Sequence, residues 1–234
     1  MAPKNDLNRM VMLRHTYSTL NSYSSQSTNY QGQAFMELRM VPSYQKVMKR
    51  LLDVVIALTG LLVLFPLLIY IAVKIKLDSS GPVFYFQERV GLYGTPFFIF
   101  KFRSMYDGAE MNGPALSFDN DKRITKWGYT IRKWKLDELP QLLNILFGDM
   151  SLVGPRPERK YYIDKVSERY PYCKYLQQVK PGLTSLGMIQ FGYAENIEQI
   201  ITRMKFDIAY VANYSLVVDF RIMYHTLRYV MMPK

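Results

Sequence analysis

Between Leu51 and Val73 the chain reads LLDVVIALTGLLVLFPLLIYIAV, with Asp53 as its one charge and Pro66 in its interior. As a straight helix this run would be roughly 34 Å long at about 1.5 Å per residue, enough for a hydrocarbon core of about 30 Å. Two features argue against a simple crossing. Pro66 removes a backbone donor and clashes with the turn before it. Cations also flank both ends, Lys46, Lys49 and Arg50 before the run and Lys74 and Lys76 after it, so charge bias gives no orientation for a crossing. A helix that enters, bends near Pro66 and returns to the same face puts all of these cations on one side. A re-entrant hairpin over residues 46–78 is therefore expected first, with a spanning helix and a buried soluble helix as the alternatives.

Residues 1–45 are rich in Ser, Asn, Gln, Tyr and Thr and show neither a sustained period nor the apolar core of a signal peptide. A flexible polar tail is the expectation, because so little apolar surface cannot offset the entropy of ordering. Thirty Lys and Arg against 19 Asp and Glu give a net charge of +11, which favours anionic partners: phospholipid head groups, nucleotides or lipid phosphates. Nucleic acid is not expected, since no recognised binding motif accompanies the charge. Cys173 is a lone cysteine and His15 and His225 are the only histidines. Neither an intrachain disulfide nor a zinc cluster is in prospect, and the two histidines read as solvated or structural.

After Gly81-Pro82, the aromatic runs 83–88 and 96–102 flank the turn region Gly91 to Gly94, a β-hairpin pattern. Phe98, Phe100 and Phe102 share a face by alternation and read as packing. Lys101 and Arg103 close the second strand, where contact with phosphate would account for cations beside an apolar face. Residues 136–150 read as a short helix with Asp137 as N-cap and Gly148 near its end. Taken alone, Asp137 and Glu138 are first a cap and a solvent-facing first-turn residue. The alternative is a carboxylate at a helix N-terminus, a place that also attracts phosphate. In GDMSLVGPRPE, two prolines bracket Arg156 after a glycine, a stiff loop suited to holding one guanidinium for bidentate recognition. Residues 197–232 read as amphipathic helices, either interfacial or packed on the core.

The runs KFRSM (101–105), DKRITKWG (121–128), LDELPQL (136–142), GDMSLVGPRPE (148–158) and VKPGLT (179–184), in this order behind a Pro-broken apolar segment, resemble the bacterial sugar transferases, the monotopic phosphoglycosyl transferases. The resemblance covers roughly residues 46–230. It implies a mainly α, α+β fold: a re-entrant membrane helix (46–78), a small β-hairpin and interfacial helices, with a catalytic domain over 79–234 at the cytoplasmic face of the bacterial inner membrane. It also implies transfer of a sugar 1-phosphate from a UDP-sugar to polyprenol phosphate, with release of UMP, at the start of surface-glycan assembly. In that scheme Asp137 is the nucleophile and forms an aspartyl phosphosugar, while Glu138 helps with Mg²⁺ or protons. Both carboxylates are candidate Mg²⁺ ligands, and Lys101, Arg103, Arg132, Arg156 and Glu158 are candidate substrate contacts. Lys135 departs from the family pattern, in which a small hydroxyl residue is common at that place. The competing reading is a non-catalytic basic module that binds anionic membrane. A homo-oligomer is compatible with either.

Overall fold

The structure, a computed structural model, describes residues 42–110, 113, 115–118 and 121–231. The polar stretch up to residue 41, including His15, lies outside them. The apolar run forms the middle of helix α1 (Ser43–Asp78), whose 36 residues extend roughly 54 Å. Pro66 lies inside α1, and the helix continues through it. Lys49, Asp53 and Ala57 before Pro66, and Ile71 and Ile75 after it, are buried. Their spacing puts them on one stripe, while Leu62, Val63, Phe65, Ile69 and Val73 are exposed. By length and composition, α1 is able to cross a membrane.

Both ends of α1 are fastened to the same body. At its start, Lys49 Nζ donates to Asp219 at 2.6 Å and to the Val153 carbonyl at 2.9 Å. Asp53 accepts from Ser151 Oγ at 3.1 Å and from the Leu152 N–H at 2.9 Å. Arg50 donates to the carbonyls of Ile145 and Leu146, the second of which a helix end would otherwise leave open. At the other end, Ile71 and Ile75 pack with Phe102 and Ile131, and Asp78 accepts from the Trp127 N–H at 3.0 Å. Burying four such side chains contributes about 1.5–3 kcal/mol each.

Strands β1 (Phe84–Val90) and β2 (Pro96–Phe102) form the expected antiparallel hairpin, with Phe84 opposite Phe102 and Phe86 opposite Phe100. Alternation makes the hairpin two-faced. One face carries Phe84, Phe86, Phe98, Phe100 and Phe102. Phe84 stacks on Phe102 with ring centroids 5.4 Å apart, and Phe86 meets Phe100 edge-on at 5.2 Å. The expectation that Phe98, Phe100 and Phe102 only pack holds for Phe102, which is buried, but Phe98 is exposed. The other face carries Tyr85, Gln87, Arg89 and Lys101.

Helix α2 (Lys126–Lys133) is capped by Thr125, whose hydroxyl accepts from Gly128 N at 2.9 Å. A 3₁₀ turn follows over Leu136–Glu138, then α3 (Gln141–Phe147). The helix expected over 136–150 is thus shorter, and Asp137 makes no capping bond. Pro140 has no N–H to continue a helical ladder from 136 and instead stands just before the first turn of α3. Gly148 ends α3 as expected, at φ 92°.

Strands β3 (Ser151–Val153) and β4 (Gly182–Thr184) pair in parallel, and between them run α4 (Lys160–Arg169) and a 3₁₀ segment, Pro171–Gln178, that buries Cys173. The bonds to Pro155 and Pro157 are trans. The chain continues through α5 (Leu186–Gln190), α6 (Ile197–Ala212) and α7 (Leu216–Met231). Of the two readings for the C-terminal helices, α6 takes packing, with eight buried residues. In α7, Val217, Phe220, Tyr224 and Leu227 are exposed at helical spacing, and His225 rests against Tyr224.

Candidate active site

Asp137 and Glu138 occupy the 3₁₀ turn between α2 and α3, and both are buried, at 8% exposure. Their surroundings differ sharply. Glu138 Oε1 accepts from Lys101 Nζ at 2.8 Å and from Arg156 Nη2 at 3.0 Å. Burial would raise its carboxyl, yet these two cations outweigh it and hold the group well below the ordinary carboxylate range. Asp137 has no side-chain hydrogen bond or ion pair among the described residues. Burial, and then the charge of Glu138, push its carboxyl up against the opposing pull of Lys101, Arg132 and Lys135. One turn therefore presents a neutralised carboxylate beside an unpartnered one.

The two cations on Glu138 come from opposite parts of the fold, and each is rigidly placed. Lys101 rides on the polar face of β2. Fully buried Asn144 of α3 clamps that strand, accepting from Phe100 N at 2.9 Å and donating to the Phe98 carbonyl at 2.7 Å. Arg156 follows β3, where backbone approaches backbone: Gly154 N donates to the Thr184 carbonyl and Gly182 N to the Pro155 carbonyl. A Cβ on Gly154 would lie 2.8 Å from Gly182 N, so the crossing of the GPRPE and KPGLT motifs requires glycine there. Asp207 of α6 then accepts from the N–H groups of Arg156 at 3.2 Å and Gly187 at 2.8 Å. Burial raises the Asp207 carboxyl to about 6 despite these bonds.

The structure brings Lys101, Arg132 and Arg156 of the sequence-derived candidates to the pair. Arg132 is held by Ser117 Oγ at 2.8 Å and Ser104 Oγ at 3.4 Å and has no carboxylate partner among the described residues. Arg103 and Glu158 are used elsewhere. Arg103 donates to the carbonyls of Ser79 and Ser80, closing the chain just past α1. Glu158 is buried in ion pairs with Arg203 and, at 3.7 Å, Arg89, which steady the Pro-Arg-Pro loop from behind.

Three residues at or behind the pair escaped the sequence reading as contacts: Lys135, Tyr193 and Asp207. Lys135 stands out in the sequence as an unusual residue type before Leu136. Nothing in the sequence pattern marks Tyr193 or Asp207, which reach the site across 56 and 70 residues of chain from Asp137.

For Mg²⁺, no group of three or more His, Cys, Asp or Glu gathers among the described residues. Asp137 and Glu138 nevertheless fit this ion. Asp137 has both oxygens unpartnered, and Glu138 has Oε2 outside the Lys101 and Arg156 bonds. Mg²⁺ is commonly held by one or two carboxylates together with substrate phosphates and water.

Comparison with known proteins decides the family. The model of the family described as bacterial sugar transferase matches residues 44–233. The chain belongs to that family. It is 39% identical over 180 residues to the UDP-N-acetylgalactosamine-undecaprenyl-phosphate N-acetylgalactosaminephosphotransferase of Aeromonas hydrophila, covering 77% of this chain and 43% of that protein. It is 41% identical over 181 residues to the UDP-glucose:undecaprenyl-phosphate glucose-1-phosphate transferase of Caulobacter vibrioides, covering 76% and 68%. To the exopolysaccharide production protein PSS of Rhizobium leguminosarum it is 38% identical over 191 residues, covering 77% and 94%. The matched region thus spans less than half of the Aeromonas protein and nearly all of the Rhizobium one. As a member of this sugar transferase family, the chain carries the family match across α1, the buried carboxylate pair and every element that positions it.

Proposed function

We propose that this sugar transferase moves a sugar 1-phosphate from a UDP-sugar to a polyprenol phosphate, undecaprenyl phosphate in the relatives' names, releasing UMP by way of a covalent intermediate on Asp137. The observation that carries this reading is the asymmetry of the acidic pair. Glu138 is fixed by two cations, whereas its neighbour Asp137 is buried, raised and without a partner. A carboxylate shielded from water and free of ion pairs is the better nucleophile of the two.

In the first step an Asp137 carboxylate oxygen attacks the β-phosphorus of the donor. The bond from that phosphorus to the bridging oxygen breaks, and UMP departs with the electron pair. In the second step an oxygen of the polyprenol phosphate attacks the same phosphorus, and the Asp137 carboxylate leaves. Bound Mg²⁺, held by Asp137 and the free oxygen of Glu138, would offset negative charge on the diphosphate. Arg132 and the Lys101–Glu138–Arg156 cluster supply fixed charge around the phosphates and need no rearrangement when charge develops.

A membrane-surface location follows from the apolar exterior. The outer stripe of α1 is exposed, Phe220 of α7 and Leu52 of α1 border one shallow cavity, and Phe102 joins α1 to the aromatic face of the hairpin. The exposed apolar residues of α1, α7 and the hairpin would be the ones in contact with lipid. Attachment of both ends of α1 to the same body favours a helix that dips and returns over one that crosses, with the polar domain at the cytoplasmic face. The lipid phosphate acceptor would then arrive at the depth of the pair, one strand thickness from the aromatic face.

The test is UMP release by the detergent-solubilised protein given polyprenol phosphate, Mg²⁺ and a donor panel that includes UDP-glucose and UDP-N-acetylgalactosamine. The parent should release UMP from at least one donor, and Asp137→Asn should lose roughly a thousandfold or more, as expected for a missing nucleophile. Equal release by Asp137→Asn refutes the assignment. No release by the parent with any donor favours a membrane-binding module.

A further inference from the structure

Lys135, two residues before Asp137, adopts φ 56° and ψ 21°. This left-handed conformation is uncommon for a residue with a side chain beyond Asn, Asp or Gly. Among the described residues only Tyr93, in the hairpin turn, shares it without being glycine. Such conformations persist where the surroundings enforce them, and they gather at ligand sites. Here the main chain enforces it: Lys135 N donates to the Arg132 carbonyl at 3.1 Å, and Glu138 N donates to the Lys135 carbonyl at 3.2 Å. The result aims the side chain over the Tyr193 ring, with Nζ 4.1 Å from the ring centroid. Arg156 Cζ lies 5.3 Å from the same centroid.

Charge counting gives the placement a purpose. Around the acidic pair stand Lys101, Arg132, Lys135 and Arg156, four cations against two carboxylates. Lys101 and Arg156 share the one carboxylate of Glu138, while Arg132 and Lys135 have no ion pair among the described residues. With both carboxylates ionised the cluster keeps a net charge of +2, which a sugar-linked diphosphate, with a charge of about −2, would balance. An ammonium on an aromatic face is stabilised without a counter-ion and stays available to a stronger anion.

We infer that Lys135 is a donor-binding residue: its ammonium, held ready on the Tyr193 ring, is a contact for the diphosphate of the nucleotide-sugar. The inference rests on the transferase reading for the identity of the ligand.

The experiment measures UDP binding to the solubilised full chain by calorimetry, alongside donor and acceptor KM where turnover is seen. Lys135→Asn removes the charge with a residue that tolerates the left-handed backbone, so it should melt with the parent. It should weaken UDP binding and raise the donor KM by about ten- to a hundredfold, the effect of one lost charge-assisted contact, with the acceptor KM unchanged. Lys135→Arg should restore most of the binding, Tyr193→Leu should weaken it, and Lys133→Asn, a change at an exposed neighbour, should leave it alone. UDP affinity within twofold of the parent in Lys135→Asn overturns the inference, as does a parent that does not bind UDP. Lys135-dependent UDP binding without UMP release from any donor would uphold this site and sink the transferase reading alone.

Discussion

Arg156 Nη2 lies 3.0 Å from Glu138 Oε1, the same oxygen that Lys101 Nζ approaches to 2.8 Å. Eighteen residues of chain separate this pair, and the contact exists because α3 and β3 turn the stiff Pro-Arg-Pro loop back over the 3₁₀ turn. Through Glu138 the contact sets the charge felt by Asp137.

Glu138→Gln should move the acid limb of the first half-reaction. Burial and the Glu138 charge raise the Asp137 carboxyl, so UMP release should rise with pH through a value above that of an ordinary aspartate. Removing the Glu138 charge also frees Lys101 and Arg156 to act on Asp137, and both effects shift the limb to lower pH. A pre-steady-state pH profile of UMP release in parent and variant checks the direction.

The same two groups have opposite effects on stability. The Asp137 carboxyl is raised in the fold, so its ionisation costs folding free energy at neutral pH, and the cost fades as pH falls through the folded value. The Glu138 carboxyl is depressed, so it stabilises at neutral pH and loses this contribution only as pH falls from the unfolded value towards the folded one. Asp137→Asn should therefore be no less stable than the parent at pH 7, whereas Glu138→Gln should lose about 3 kcal/mol by leaving two buried cations unmatched. Urea denaturation in detergent measures both.

Lys49 and Asp219 tie the start of α1 to α7, with Tyr210 donating to Asp219 at 2.7 Å. Asp219→Ala leaves a buried ammonium without its carboxylate and should cost about 3–5 kcal/mol. Tyr210→Phe should cost about 1 kcal/mol. The two in combination should fall short of the sum, because both act on one carboxylate.

Gly182→Ala should abolish UMP release while retaining helical circular dichroism. Its Cβ would lie 2.6 Å from the Gly154 carbonyl oxygen, and the loop that carries Arg156 must move to relieve it. Comparison with Lys180→Ala, in the same motif, separates displacement of the loop from mere sensitivity of the segment.

Topology is testable by labelling. In a Cys173→Ser background, Ser24→Cys before α1 and Ser80→Cys after it should both resist a membrane-impermeant thiol reagent in intact cells and react after permeabilisation. Labelling of one site alone in intact cells would indicate a crossing helix.

Local order was readable where a local pattern carried it. The aromatic alternation gave β2 with its bounds, Gly148 marked the end of α3, and the two prolines around Arg156 announced a fixed guanidinium. The start of α3 was not, because Pro140 and the left-handed Lys135 break a segment whose residue types otherwise suit a helix. Lys101 and Arg103 stand two residues apart, a spacing that would put both on one strand face, but β2 ends at Phe102 and Arg103 turns to the carbonyls of Ser79 and Ser80, so only Lys101 meets the acidic pair. The contributions of Tyr193 and Asp207 depend on where α5 and α6 pack, which no nearby residue encodes. For α1, hydropathy gave the helix, but the fastening of both ends came from Lys49, Asp53 and Asp78, whose partners lie 49 or more residues away.

The most direct test of the central claim is intact-protein and peptide mass spectrometry after incubation with a productive UDP-sugar in the absence of the lipid acceptor. The account predicts a mass increase equal to one sugar phosphate, located on the peptide containing Asp137, absent from Asp137→Asn and discharged on adding polyprenol phosphate. A parent enzyme that releases UMP under these conditions with no adduct on that peptide, or with the adduct on another residue, would contradict it.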